Sequence, residues 1–210
     1  GIAGDVFDYR IVDKLVSPRL GKGDSYRSFD KLIAIPNRYY ANFARWNQLA
    51  LMKTSGELKE LRELERSAVK PEPLRHFIDI IDYDHGFSLY RAVSEAKIAL
   101  SAAEEAELSF KAESFDFNAR IKRSDFESWI AEDVAAIADT IDEALANAGI
   151  KAGEIERVFL TGGTSYVPAI RKLFADRFTE ERLLSADQFE SIAYGLALIG
   201  ATDDPKRWAI

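Results

Sequence analysis

The 210 residues include no cysteine, one methionine and only two histidines. The absence of cysteine excludes disulfides, thiolate zinc sites and cysteine nucleophiles, and it fits a reducing cytosol, so a cytoplasmic location is expected. His76 and His85 stand outside any HExxH pattern, so no histidine-based metal site is expected and none of the candidate residues is a metal ligand. No GxSxG elbow occurs. No apolar run is long enough to cross a membrane. The opening GIAGDVFDYR has no basic stretch followed by an apolar one and does not read as a signal peptide. Basic residues are also in deficit. The formal net charge is −7, and phosphate-backbone binding needs clustered Lys and Arg, so nucleic acid is not an expected partner. What remains, 47% apolar and 30% charged, is the balance of a globular chain able to bury a core.

The first half reads as helical. Apolar spacing at Ile11, Val12 and Leu15 predicts a short helix over 8–16, followed by a polar loop over 17–28. Gly21-Lys22-Gly23 in that loop lacks the earlier glycine and the preceding buried strand of a phosphate loop. Two helices are expected between 38 and 69. They are separated at Thr54-Ser55-Gly56, with Ser55 as N-cap of the second. The aromatic set Tyr39, Tyr40, Phe43 and Trp46 reads as a packed face. Lys70 to Pro73 punctuates the chain, helices follow over 74–81 and 88–103, and a bend is expected at 82–86.

The period changes at Ala106. Alternation in ELSFKA and DFNARI predicts two strands joined near Glu113-Ser114. Spacing of three to four then runs from Phe126 to Leu145, a long helix stopped by Gly149. A strand over 157–161, a helix over 168–178 and a last helix from Asp187 to Ile199 complete the chain, with Asp187 and Glu190 spaced as a capping box. This order implies an α+β fold with α/β elements near its end.

The stretch VFLTGGTSYVP over 158–168 carries the clearest chemistry. Gly162 and Gly163 lack Cβ atoms and allow a ligand to approach the main chain. The helix that follows offers free N–H groups and a partial positive charge at its start, which suits a phosphate.

Taken in order, several segments resemble the ATPase domain of the seventy-kilodalton heat-shock (DnaK-type) chaperones. LTGGTSYVPAIRKLF and SIAYGLAL are similar to the end of that domain. AVSEAKIALS over 92–101 is similar to its nucleotide-contacting helix. FDFNARIKRSDFESWI over 115–130 resembles its strand and long helix, and GDVFDYRIV over 4–12 resembles its GG[ED]xFDxR segment. The resemblance covers about two thirds of the chain and implies the second lobe of an actin-like ATPase fold. That lobe would comprise a βα body, residues 1–16 and 122–210, and an inserted helical and β-strand subdomain, 17–121, longer than usual around 37–85.

The resemblance implies an adenosine-side wall for ATP or ADP. Gly162 and Gly163 match the glycine pair along ribose and α-phosphate, with Thr164 in a serine's place. Tyr166 stands where an arginine stacks on adenine. Lys97 matches a ribose-contacting lysine and Ser101 a serine at the adenine edge. Gly4 and Asp5 match a glycine–acid pair near the phosphates. Ser94 replaces a glutamate whose role adjacent Glu95 could take, and Phe189 stands where an aspartate is expected, with Asp187 two residues earlier. The family's DxGTT and GGGTFD phosphate loops do not occur here, so no catalytic residue is assigned and the chain alone is not expected to hydrolyse ATP. Mg²⁺ belongs to the full-length parent, and an exchange factor or co-chaperone is the expected partner of the helical subdomain. The alternatives are another actin-like ATPase, filament-forming or sugar-kinase-like, and a non-enzymatic module binding a partner through the aromatic helices.

Overall fold

The computed structural model describes residues 4–185 and 191–201, with the side chains of 191–194 left aside. Asp187, Phe189 and Glu190, and with them the expected capping box, lie outside the described residues. The chain divides into two compact units, residues 1–132 and 133–210.

In the first unit, α1 (Gly4–Ile11) runs into a π-helical stretch over Val12–Val16, and α2 (Ser17–Arg19) continues it. The expected loop over 17–28 therefore starts later. Pro18 gives the reason for the wide turn, because it has no N–H and its ring would collide with the carbonyl four residues back. The Ser17 N–H bonds instead to Val12 O, five residues back, which keeps the helix going.

A hairpin follows that the sequence pattern does not announce. β1 (Ser25–Ser28) pairs antiparallel with β2 (Lys31–Ala34), and Phe29 turns the corner at φ 52° with its side chain fully exposed. Four-residue strands with no clear alternation carry too little signal, and Phe-Asp is not a glycine- or asparagine-rich turn.

The single helix expected at the start of 38–69 is two: α3 (Asn37–Phe43) and α4 (Trp46–Met52). Ala44 is buried at ψ 0°, and Arg45 is extended at φ −113°, ψ 116°. This corner lets Phe43 enter the core while α4 leaves in a new direction. α5 (Glu57–Ser67) starts after Gly56, which takes the N-cap position at φ 87° in place of the expected Ser55. α6 (Pro71–Asp82) begins at Pro71, whose missing N–H costs nothing in a first turn. α7 (Gly86–Ala102) is the longest helix of the unit.

The core of this unit is aromatic. Phe77 of α6 stacks on Tyr40 at 5.1 Å and meets Phe43 edge-on at 4.8 Å. Each such ring removes enough apolar surface from water to stabilise by about 1.5–3 kcal/mol. β3 (Glu105–Lys111) and β4 (Asp116–Lys122) form the expected hairpin, with Leu108 opposite Ala119 and Phe110 opposite Phe117. The inward residues Ala106, Leu108, Phe110, Phe117, Ala119 and Ile121 are buried and the outward ones exposed, and the sheet packs on α7.

α8 (Arg123–Trp129) ends at Ile130, and α9 (Ala131–Ala148) restarts at once and crosses the boundary between the units. The long helix expected from Ser124 is thus broken at a buried Ile with backbone angles of φ −95°, ψ 1°. No Gly or Pro signals that break.

The second unit holds a βαβ element. β5 (Val158–Leu160) and β6 (Leu183–Ser185) pair in parallel, and α10 (Pro168–Phe178) connects them. Leu160, Phe178 and Leu183 are its buried cluster, with Ile141 and Leu145 of α9 and Phe174 of α10 packed against it. α11 (Ser191–Gly200) closes the described chain.

Candidate functional site

The eight candidate residues divide between the units. Gly4, Asp5, Lys97 and Ser101 lie in the first; Gly162, Gly163, Thr164 and Tyr166 lie in the second.

In the second unit the strand ends as its sequence predicts. Gly162 sits at φ 84°, ψ 154°, a conformation essentially confined to glycine. A 3₁₀ turn over Gly163–Tyr166 follows and delivers the chain to α10 at Pro168. Ser165 secures the turn from inside, its backbone N–H and its Oγ both donating to Gly162 O at 3.0 and 2.8 Å. A Cβ added to Gly162 or Gly163 meets no atom of the described residues within 4 Å. The glycines therefore clear space next to the main chain, and packing does not account for them. Tyr166 is 51% exposed, so part of its ring is open to a ligand. Thr164 accepts the Val167 N–H at 3.1 Å through its carbonyl.

In the first unit, Gly4 and Asp5 start α1, and Asp5 Oδ1 accepts the Val6 N–H at 3.0 Å. Ser94, Lys97 and Ser101 are spaced by three and four on α7 and share one stripe. Ser101 Oγ donates back to Lys97 O at 3.4 Å. The Lys97 ammonium stands 2.7 Å from Asp8 Oδ1 and donates to Gly4 O at 3.2 Å, which ties α7 to α1. Both side chains of the ion pair are mostly buried. Burial pushes the Asp8 carboxyl above its ordinary 3.8, and the Lys97 charge only partly offsets that.

The same stripe of α7 continues toward the helix start into a cleft of about 1020 Å³. Tyr9 and Asp5 of α1, Arg45 and Trp46 at the α3–α4 corner, and Tyr90 and Arg91 of α7 are among its walls. Beside this cleft the start of α7 packs closely on α4: a Cβ on Gly86 would lie 2.8 Å from Leu49 Cδ2, so a larger residue there would make the Leu49 side chain shift. Trp46 meets Tyr90 edge-on at 5.2 Å, and Tyr90 Oη donates to Phe43 O at 3.2 Å. Burial raises the Tyr90 phenol well above its ordinary pKa of 10.0. The aromatic set at 39–46 thus divides in two. Tyr39, Tyr40 and Phe43 are buried as expected, whereas Trp46 is 48% exposed and lines the cleft. Sequence spacing alone could not separate them, because the chain changes direction between Phe43 and Trp46.

The family model for the Hsp70 protein matches residues 76–208. The chain belongs to the Hsp70 family. The match takes in Lys97, Ser101 and the Gly162–Tyr166 turn, and it begins after Gly4, Asp5 and the α3–α4 corner. Among curated Hsp70-family relatives, the chain is 32% identical over 127 residues to "Chaperone protein HscA" of Xenorhabdus nematophila, covering 60% of this chain and 20% of that protein. It is 30% identical over 118 residues to "Chaperone protein DnaK" of Deinococcus radiodurans, covering 52% and 19%. To the "Ribosome-associated molecular chaperone SSB" of Candida glabrata it is 32% identical over 116 residues, covering 54% and 19%. The aligned part spans about a fifth of the length of these Hsp70 relatives. The mixed helices and small sheets agree with an α+β piece of an Hsp70-type fold. No helix among the described residues is long and apolar enough to cross a membrane.

Proposed function

We propose that this chain forms the adenosine-side wall of an ATP/ADP cleft in an Hsp70-type nucleotide-binding domain. The observation that carries this reading is the Gly162–Gly163 turn. It joins a strand to the start of α10, it leaves open space where two Cβ atoms would stand, and it lies within the segment matched by the family. Open main chain next to an exposed tyrosine ring suits a ribose and a stacked base. Ser101 and the Ser94–Glu95 step on α7 supply hydroxyl and carboxylate groups of the kind that bind sugar hydroxyls and base edges. In this reading Gly4 and Asp5 approach the phosphates, Mg²⁺ and the hydrolytic groups belong to the parent protein, and the chain has no catalytic residue of its own. Residues 17–121 act as an insertion in a βα body made of 1–16 and 122–210. An exchange factor or co-chaperone would use the helical part. Family membership favours this reading over a filament-forming or sugar-kinase-like ATPase.

The test is a titration of the ¹⁵N-labelled chain with ADP. Amide signals of Lys97, Ser101 and Gly162 to Tyr166 are expected to move first. No shift at millimolar ADP, or shifts confined to α3 to α6, would remove the adenosine site and leave the partner-binding reading in its place.

A further inference from the structure

Two hollows of the first unit meet at a pair of exposed aromatic rings. Trp46 at the start of α4 and Phe87 in the first turn of α7 line the cleft of about 1020 Å³, and both also line a smaller pocket of about 180 Å³. The smaller pocket is below the size of an ordinary small-molecule site and suits a single apolar side chain. Its walls are aliphatic where Leu49 and Ala50 of α4 face Ile80 and Ile81 of α6, and the ion pair of Lys53 with Asp84, at 2.6 Å, stands beside them.

The cleft, in contrast, carries charge, most of it already engaged. Asp8 is paired with Lys97 at 2.7 Å, Glu95 with Arg91 at 2.8 Å and Arg10 with Glu132 at 3.7 Å. Asp5 accepts the Val6 N–H within its own helix. Arg45 differs, because among the described residues it has no carboxylate partner. Its guanidinium lies 5.3 Å from the Tyr9 ring centroid, and Nη1 donates to Ala41 O at 3.2 Å. An aromatic face and a carbonyl thus hold the fork while other N–H groups keep their donor capacity, which suits a carboxylate.

The unpaired guanidinium is next along the chain to an indole that also walls an aliphatic pocket. The complement of that arrangement is a carboxylate close to a large apolar side chain. A small anion would satisfy Arg45 and leave the pocket empty. A peptide carries both groups on adjacent residues, about 3.8 Å apart along its backbone. We infer that the α3–α4 corner and its neighbouring pocket bind a segment of a partner protein in which Asp or Glu adjoins a large apolar residue. The carboxylate pairs with Arg45, the apolar side chain enters the pocket, and Trp46 and Phe87 flank the segment. Trp and Arg are residue types that dominate the energetics of such contacts. Arg45, Trp46, Leu49 and Ala50 precede the segment matched by the Hsp70 family model, so family membership does not account for them. The inference does not rest on the nucleotide reading.

The experiment titrates the ¹⁵N-labelled 210-residue chain with the blocked tripeptide acetyl-Leu-Glu-Leu-amide and with its Gln counterpart. The readout is the indole N–H signal of Trp46, assigned by its loss in Trp46→Phe. Both peptides are expected to move that signal, with the Glu peptide binding roughly three- to tenfold tighter, the scale of one partly solvated ion pair. Arg45→Gln is expected to erase the difference and leave the affinity for the Gln peptide unchanged. Ala50→Leu, an exposed helical position that tolerates leucine, is expected to fill the pocket and weaken both peptides. Saturating ADP is expected to leave the peptide affinities unchanged. Any of four results overturns the inference: no shift of the Trp46 signal at millimolar peptide, equal affinity of the wild type for the two peptides, equal loss for both in Arg45→Gln, or unaltered binding in Ala50→Leu. Displacement of the peptide by ADP assigns the cleft to the nucleotide and overturns it as well.

Discussion

Gly162 is required by the backbone, because its φ of 84° with ψ 154° is open to almost no other residue. Its neighbour Gly163 has no such constraint and simply leaves space. Gly162→Ala should therefore cost about 1–3 kcal/mol of stability, whereas Gly163→Ala should change it by less than about 0.5 kcal/mol. Urea unfolding of the two variants separates them. Comparable losses in both would mean that packing, not backbone conformation, holds the turn. On the nucleotide reading, Gly163→Ala should nevertheless weaken ADP binding, since its methyl group enters the space the ligand needs.

Helices and strands differ in how plainly the sequence announces them. The β3–β4 hairpin is legible because six alternating positions all agree, and one face is buried along its whole length. α10 is legible because Pro168 marks its start. The β1–β2 hairpin, the corner at Arg45 and the break at Ile130 are not: the hairpin's strands are short and without clear alternation, the other two fall next to the buried Ala44 and at the buried Ile130, and none carries a Gly or Pro marker at the turn itself. The same limit applies to the site. The glycine turn and the α7 stripe follow from short contiguous motifs, but the cleft walls come from α1, α4 and α7, which are distant in sequence. For the hairpin the pattern makes a sharp forecast. Leu108→Ala, at a fully buried inward position, should cost about 2–5 kcal/mol, and Glu107→Ala, one residue away on the exposed face, less than about 0.5 kcal/mol. Thermal melts of the two variants would expose a register slip, which would reverse that order.

At the scale of the whole chain, the two units are unequally supported. Among the described residues the first buries aromatic and aliphatic side chains from Phe7 to Ile130, while the second buries Leu160, Val167, Ile170, Phe178 and Leu183. A small buried cluster supplies little margin over the entropy of ordering the chain. Native-state hydrogen exchange should accordingly show β5 and α10 amides opening at lower free energy than those of α7 and β3. Uniform opening energies would mean that the units fold as one cooperative body.

The ion pair between Lys97 and Asp8 changes what a lysine contact to a nucleotide can contribute. The ammonium already has a carboxylate at 2.7 Å and a carbonyl at 3.2 Å. A ligand that draws on Lys97 must take it from those groups and leave a mostly buried acid behind. The energy gained is then the difference between two partnerships, one of them already formed. Lys97 acts as a broker between α1, α7 and any ligand, and the net gain from moving it is smaller than the new contact alone would suggest.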